Sequence, residues 1–154
     1  MNRLIRKYRT IFLVGARASW VRLLLQIIPL PRVLDRLHPG QVTEQRDLSG
    51  IDDVVYYLDR WLHLFPYNAK GNCFPRSLVL YWFARRWGYP VVFHCGVRKE
   101  GASLDGHAWL TLNGHAFQEP SQQWRRFTVT FCYPTSVETQ QVESPVSHNQ
   151  PAIF

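Results

Sequence analysis

Apolar residues recur every three to four positions through the first half of the chain, which is the spacing of helices that bury one face. The pattern predicts one helix over residues 1–28 and a second over residues 51–65. A third helix is predicted to begin within a residue or two of Cys73 and to end at Gly88. Helices therefore fill most of the chain up to this point.

The breaks between and after these helices predict how the chain is divided. Residues 41–50 are polar and predict a connector, and Pro66 is predicted to end the second helix. The last residues are rich in Gln, Ser, Thr and Pro and predict a mobile tail. We therefore expect an N-terminal helix with its connector over 1–48, a folded body over 49–133 and a tail over 134–154.

The hydrophobic pattern changes to that of strands after the third helix. Runs rich in β-branched and aromatic residues predict strands over 90–97, 106–112 and 127–133. The dipeptide at 113–114, Asn-Gly, is a hairpin turn signal. The polar stretch 99–105 is predicted to be a loop that covers a cleft. Helices followed by an antiparallel sheet define the α+β class.

Length and composition narrow the class of protein. A chain of 154 residues, 46% of them hydrophobic, suits one domain with a core of ordinary size. The 18 Lys and Arg exceed the 11 Asp and Glu, which favours an acidic peptide or a membrane surface as partner. Nucleic acid is not expected, because no zinc-finger spacing, RNP-like motif or helix-turn-helix signature accompanies the charge. Three irregularly spaced cysteines indicate a reducing cytosol.

The N-terminal helix is basic and apolar together. Arg17 and Arg22 interrupt its apolar run, so the sequence predicts neither a membrane span nor a signal peptide. Two interpretations stay open, a helix packed on the domain or on a partner protein and a helix lying on an anionic lipid surface.

Cys73 is the candidate nucleophile. Unpaired N–H groups and the positive end of the helix dipole are predicted to face its sulfur and to favour the thiolate. Pro75 fits this helix start, because the missing N–H of proline has no intrahelical acceptor in the first turn. The alternative is that Cys73 is a small buried hydrophobe, as Cys95 and Cys132 are expected to be. No metal-ligand spacing such as C-x-x-C occurs, so neither a metal nor another cofactor is expected.

A cysteine nucleophile needs a base, and His107 is the preferred candidate because it begins a strand of the predicted hairpin. A two-residue turn would leave Glu119 facing away from His107. A three-residue loop over 112–114 would place Glu119 directly opposite His107 and pair Trp109 with Phe117. An aromatic cross-strand pair contributes up to about 1 kcal/mol, so the second register is predicted. The other candidate bases are His63, His94 and His115.

These residues resemble the lasso-peptide B2 proteins, which are transglutaminase-like, papain-related cysteine peptidases. The similarity covers roughly residues 50–133 and rests on three short motifs. The matching residues are Cys73, Arg76, Ser77, Leu78 and Leu80 in the first motif, Gly96, Val97 and Arg98 in the second, and His107, Ala108 and Trp109 in the third.

The resemblance implies that residues 49–133 form a catalytic domain in which the cysteine helix packs on an antiparallel sheet. Cys73 carries over as nucleophile, His107 as general base and Glu119 as the third member, where the family usually has Asp. The Cys73 backbone N–H and the side chain of Asn72 or Asn68 are expected to bind the oxyanion. Two more residues have expected supporting roles: Trp109 packs, and Arg76 pairs with a buried carboxylate or with substrate.

The implied activity is removal of the leader from a lasso precursor peptide, a ribosomally synthesised and modified peptide (RiPP), in the cytoplasm. The N-terminal region is too short for the leader-binding module that some relatives carry. A separate leader-binding protein, a RiPP recognition element, is therefore the expected partner, and the lasso cyclase is a further candidate. The N-terminal helix is a candidate docking surface for this partner, for the leader, or for a cyclase complex at the inner membrane face. Two alternatives stay open: a transglutaminase-like acyltransferase or amidase, and a non-catalytic scaffold.

Overall fold

The computed structural model describes residues 3–39, 48–64, 71–119 and 122–134. Within them, helices precede an antiparallel sheet, which confirms the α+β class. The helices are α1 (Arg3–Ile27), α2 (Leu30–Leu37), α3 (Leu48–His63) and α4 (Cys73–Arg86). The strands are β1 (Val92–Glu100), β2 (Ser103–Leu112), β3 (His115–Ala116) and β4 (Thr128–Tyr133), with a 3-10 helix at Gln122–Arg126. The sheet order is β3-β2-β1-β4.

Helix α1 packs on α3 and α4 through one face. Val14, Ala18 and Val21 on that face are fully buried. Gly15 lets the helices approach closely, because a Cβ there would lie 3.1 Å from the Trp61 ring. The segment Leu4–Ile27 has the length and apolarity of a membrane span, with a mean hydropathy of 1.3, but a core helix satisfies the same test. Only 28% of this segment is buried, so its inner face belongs to the core while its outer face is exposed.

Two helix predictions need correction. Helix α2 was not predicted, because Pro29 and Pro31 resemble loop punctuation; here Pro29 is the N-cap and Pro31 lies in the first turn, where proline is tolerated. Helix α3 begins at Leu48 rather than residue 51, so the predicted connector ends earlier than expected. Residues 40–47, Pro66 and residues 135–154 lie outside the described residues, so the rest of the connector and the tail stay predictions.

The predicted polar loop over 99–105 is wrong. Strand β1 continues to Glu100 and β2 already begins at Ser103, so the connection is a tight turn around Gly101. Arg98 stabilises this longer hairpin, because its side chain lies 3.0 Å from Asp105 and 3.1 Å from Glu100. The stretch is therefore a strand hairpin and not the predicted loop.

The predicted hairpin register is also wrong. Leu112 pairs with His115 and Thr111 with Ala116, which is the register of the two-residue turn. Asn113 and Gly114 both have positive φ, 51° and 78°, as a type I′ turn requires. The turn preference of Asn-Gly thus outweighs the aromatic pair that the other register would form.

Helix α4 lies against the sheet, mainly on β2. The buried hydroxyl of Ser77, one helical turn after Cys73, donates a hydrogen bond to the Ala108 carbonyl at 2.9 Å. Ala108 follows His107 directly, so this bond fixes the distance between the cysteine helix and the histidine strand. The fold therefore positions two of the predicted site residues from separate elements.

Candidate active site

Cys73 is the first residue of α4, as the sequence predicts, and its side chain is half-buried. Asn72 is the N-cap residue but makes no side-chain capping bond. The first N–H groups of a helix have no intrahelical acceptor, so those of Cys73 and Phe74 are available at the sulfur. Arg76 N–H is already bonded to the Asn72 carbonyl at 3.0 Å. Among the described residues, the helix end therefore has two N–H groups beside the thiol that no intrahelical carbonyl accepts.

A thiol, an imidazole and a carboxylate lie in series at this helix end. The Cys73 side chain is close enough to His107 to raise the pKa of the imidazole, and His107 Nε2 lies 3.3 Å from Glu119 Oε2. Since Nε2 faces the carboxylate, Nδ1 is the ring nitrogen left for the thiol. The Glu119 side chain is only 6% exposed, whereas that of His107 is 26% exposed. A substrate can therefore reach the imidazole, while the carboxylate is shielded from water.

The environment of His107 favours its protonated form. The hydrogen bond to Cys73 and the hydrogen bond to Glu119 raise the pKa of His107 to about 9, against the opposing effect of burial. An imidazolium at neutral pH is the partner that a cysteine thiolate requires. By contrast, burial alone lowers the pKa of His94, which has no carboxylate beside it.

Arg76 lies between Glu119 and Asp59, a residue of α3. Its Nε donates to Asp59 Oδ1 at 2.7 Å and its Nη2 donates to Asp59 Oδ2 at 3.3 Å. The remaining nitrogen, Nη1, donates to the Gln118 carbonyl at 3.0 Å and lies 3.8 Å from Glu119 Oε1. Of the two alternatives for Arg76, the structure therefore shows pairing with carboxylates.

Glu119 approaches His107 by a route that differs from the predicted one. Strand β3 ends at Ala116, so no ladder pairing extends to Glu119. Gln118 takes a positive φ of 56° and turns the chain back toward the histidine. Its side chain donates a hydrogen bond to Asp52 at 3.1 Å. The predicted contact between His107 and Glu119 is present, although Trp109 and Phe117 are not paired.

Aromatic rings hold His107 from one side. The His107 and Trp109 rings are stacked at a centroid distance of 5.8 Å, and His94 stacks on Trp109 at 5.6 Å. Phe127 lies 5.2 Å from His107, and Trp124 lies 6.1 Å from Trp109. Trp109 is 1% exposed, so it packs as predicted rather than binding substrate. The stack restricts the imidazole to a narrow range of orientations.

Gly96 is needed for this stack to fit under β4. It pairs with His107 across the sheet, and the ladder between β1 and β4 shifts register beside it. A Cβ at this position would lie 2.5 Å from the Thr128 carbonyl and 3.0 Å from the Trp109 ring. Any side chain would therefore displace the strand or the ring that supports His107.

Of the two asparagines predicted to bind the oxyanion, the structure describes only Asn72. The Asn72 amide donates to the Leu62 carbonyl at 3.4 Å, and its oxygen accepts a hydrogen bond from Arg22 Nη1 at 3.3 Å. The side chain thus joins α1, α3 and the start of α4, and its role at the oxyanion stays a prediction. Asn68 lies outside the described residues.

The other candidate residues lie elsewhere. Cys95 and Cys132 were expected in the core and are half-buried on the sheet, with the Cys95 sulfur 3.8 Å from the Thr130 hydroxyl. His63 and His115 are exposed, on α3 and at the hairpin end. Within the described parts of the chain, no cluster of three His, Cys, Asp or Glu side chains is arranged to hold a metal ion.

Sequence reasoning missed Asp59 as a partner of Arg76 and Ser77 as a bridge to the sheet. Asp59 lies on a different helix from Arg76, and no sequence spacing links the two. Ser77 was noted only as part of a motif. Its position four residues after Cys73, and so on the same helix face, is the one signal that points to a contact near the site.

The site is a cysteine, histidine and carboxylate series on a helix-on-sheet scaffold of papain-like type. The chain belongs to the transglutaminase-like superfamily, whose profile matches residues 12–132. That match confirms the resemblance at the level of the superfamily, which is associated with cysteine peptidase and acyltransferase chemistry. No curated protein and no solved structure gives a significant match to the chain.

Proposed function

We propose that this protein is a cysteine peptidase that removes the leader from a lasso precursor peptide. The observation that carries the proposal is the series from Cys73 through His107 to Glu119, in which the imidazole is hydrogen-bonded to the carboxylate and the thiol lies at a helix N-terminus. Half-burial of Cys73 and His107 leaves room for an extended peptide to approach. The B2 motif residues Arg76, Ser77 and Gly96 have structural tasks around that series, which supports the narrower family.

The first chemical step forms a thioester. The Cys73 thiolate attacks the carbonyl carbon at the leader–core junction, and the oxyanion accepts hydrogen bonds from the free N–H groups at the start of α4. The His107 imidazolium donates its proton to the leaving amine as the C–N bond breaks. The leader then remains bound to Cys73 as an acyl group, and the core departs with a free amine.

The second step releases the leader. Neutral His107 takes a proton from water as the oxygen of that water attacks the thioester carbonyl. The Cys73 thiolate leaves, His107 is again an imidazolium, and the leader has a carboxylate. Glu119 holds the orientation of the ring and stabilises its positive charge, as the acidic member of such series does.

The partner that brings the leader is proposed from the packing of the N-terminal helices. Helix α1 packs on α3 and α4, and α2 packs on α1 and α4, so both belong to the same fold as the site, and a separate RiPP recognition element is the proposed partner, in the cytoplasm. The lasso cyclase is the proposed acceptor of the released core.

The test is mass spectrometry of a precursor peptide, taken from the neighbouring genetic locus, after incubation with this protein and the leader-binding partner. Wild type should cleave one bond between leader and core, and Cys73→Ala should leave the peptide intact. Cys95→Ala is the matched control and should cleave like wild type, because the Cys95 sulfur lies on the sheet, 3.8 Å from the Thr130 hydroxyl of β4.

The masses also separate the alternative activities. Two fragments whose masses sum to that of the precursor plus one water identify hydrolysis, whereas a product that has gained an amine identifies acyl transfer. An intact precursor with folded wild-type protein and bound partner would contradict the peptidase proposal and favour a scaffold.

A further inference from the structure

The outer face of α1 has a stripe of mostly apolar residues along its length. The large apolar residues on this face are between half and three-quarters exposed; they are Ile5, Tyr8, Phe12, Leu23 and Ile27. Ala16 and Ser19, both exposed, continue the stripe between them. The stripe is about 33 Å long at a rise of about 1.5 Å per residue. We call these seven residues the α1 stripe.

The N-terminal region that contains this helix is the source of the net charge of the protein. Residues 1–34 contain seven Lys and Arg and no Asp or Glu, while the other 11 cationic residues equal the 11 acidic residues in number. The whole net charge of +7 therefore originates in this region. Arg6, Lys7 and Arg9 are exposed in the first turns of α1, where residues 4–9 are exposed on every side.

We propose that the α1 stripe binds the surface of an anionic lipid bilayer, with the helix parallel to the membrane plane. An apolar helix face that also has flanking cations inserts into the boundary between headgroups and acyl chains. The cations add attraction to anionic headgroups, which decreases as salt increases. The helix does not span the bilayer, because Val14, Ala18 and Val21 on its inner face are buried against α3 and α4.

The charge favours lipid over the other occupants of such a face. A second copy of the chain would bring together two helices that both lack acidic residues, which like-charge repulsion opposes. A partner protein that binds a helix in a groove would surround most of the helix, but the inner face of α1 is already packed on α3 and α4. A flat anionic surface requires only the outer side.

The test uses the full chain and two kinds of vesicle, one of phosphatidylcholine alone and one of phosphatidylcholine and phosphatidylglycerol in equal parts. Wild type should sediment with the anionic vesicles and be released by salt. The triple variant Arg6→Gln, Lys7→Gln, Arg9→Gln should bind roughly 100-fold more weakly, since each cation near an anionic surface contributes several-fold.

Apolar variants test the second half of the proposal. Phe12→Ser with Leu23→Ser should also abolish sedimentation, without unfolding the protein, because both side chains are exposed. Leu104→Ser is the matched control: Leu104 is exposed on the sheet hairpin, and this variant should bind like wild type. Cys73→Ala should bind vesicles normally, so the outcome is independent of the proposed peptidase activity.

Three results would overturn the proposal. The first is equal binding of wild type to both vesicles, and the second is unchanged binding of the α1 stripe variants. The third is no vesicle binding at all. In that case, a dimer in solution that dissociates in Phe12→Ser would show that the α1 stripe binds a second copy of the chain. A monomer would indicate that the stripe binds another protein.

Discussion

Glu119 lies between His107 and Arg76, with one oxygen 3.3 Å from the imidazole Nε2 and the other 3.8 Å from the guanidinium Nη1. Arg76 is itself held by Asp59 at 2.7 Å. Removing the carboxylate charge in Glu119→Gln should lower kcat of precursor cleavage by roughly 100- to 10,000-fold, because the imidazolium loses its orienting and stabilising partner. Steady-state kinetics measures this. Glu100→Gln, exposed on the hairpin, should retain wild-type rates.

Arg76→Lys should reduce kcat/KM by roughly 10- to 100-fold, although it preserves the charge. An ammonium cannot bond Asp59 through two nitrogens and also reach the Gln118 carbonyl, so Glu119 would lose its fixed position. Arg60→Lys is the control, since Arg60 follows Asp59 on α3 and its side chain is exposed. Equal rates for both variants would show that Arg76 does not position Glu119.

The raised pKa of His107 predicts how stability depends on pH. The folded protein binds this proton more tightly than the unfolded chain, so the contribution is fully present below about 6.5 and is lost as pH rises through about 9. Urea unfolding should therefore show wild type losing more stability across this interval than His107→Gln. Parallel pH curves for the two proteins would contradict the assignment.

The same titration can be observed directly by NMR of the His107 ring. The apparent pKa should be near 9 in wild type and lower in Glu119→Gln, because one of the two hydrogen bonds that raise it loses its charged acceptor.

Gly96→Ala should destabilise the fold by about 1–3 kcal/mol, because the new methyl group collides with the Thr128 carbonyl and cannot move away from backbone. Chemical unfolding measures this loss. Gly106→Ala is a close control, since a Cβ there meets only the Gly96 carbonyl at 4.0 Å. If both variants lose the same stability, the collision is not the cause.

Ser77→Ala should destabilise by about 1 kcal/mol through loss of its buried bond to the Ala108 carbonyl. Urea unfolding again gives the value. Ser103→Ala removes an exposed hydroxyl bonded to the Glu100 carbonyl and should change stability much less.

The start of α4 could be predicted from the sequence because its signals are local. A polar turn, Cys73 and Pro75 are adjacent in the chain, and all three restrict the same few backbone angles. The contact between His107 and Glu119 was predicted for the wrong reason. The two-residue Asn-Gly turn sets the register, and the unusual backbone of Gln118, which no residue pattern announces, restores the contact.

Residues that act across elements could not be predicted in the same way. Asp59 reaches Arg76 only after α3 and α4 have packed, and the packing depends on apolar faces whose relative rotation the sequence leaves open. Helix α2 was hidden because proline marks both loops and first helical turns. Sequence therefore indicated the candidate catalytic side chains, and three-dimensional packing determined which other side chains contact and orient them.

The close approach of Gly15 to Trp61 has a consequence for how the N-terminal region can be studied. Deleting residues 1–28 would expose the Trp61 ring and the apolar surface that α1 now covers. It would also remove the hydrogen bond from Arg22 to Asn72, the residue before the candidate nucleophile. Such a truncated chain would aggregate or lose activity whatever α1 binds. Only substitutions on the exposed face of α1 can test what the helix binds, because they leave its packing against the domain unchanged.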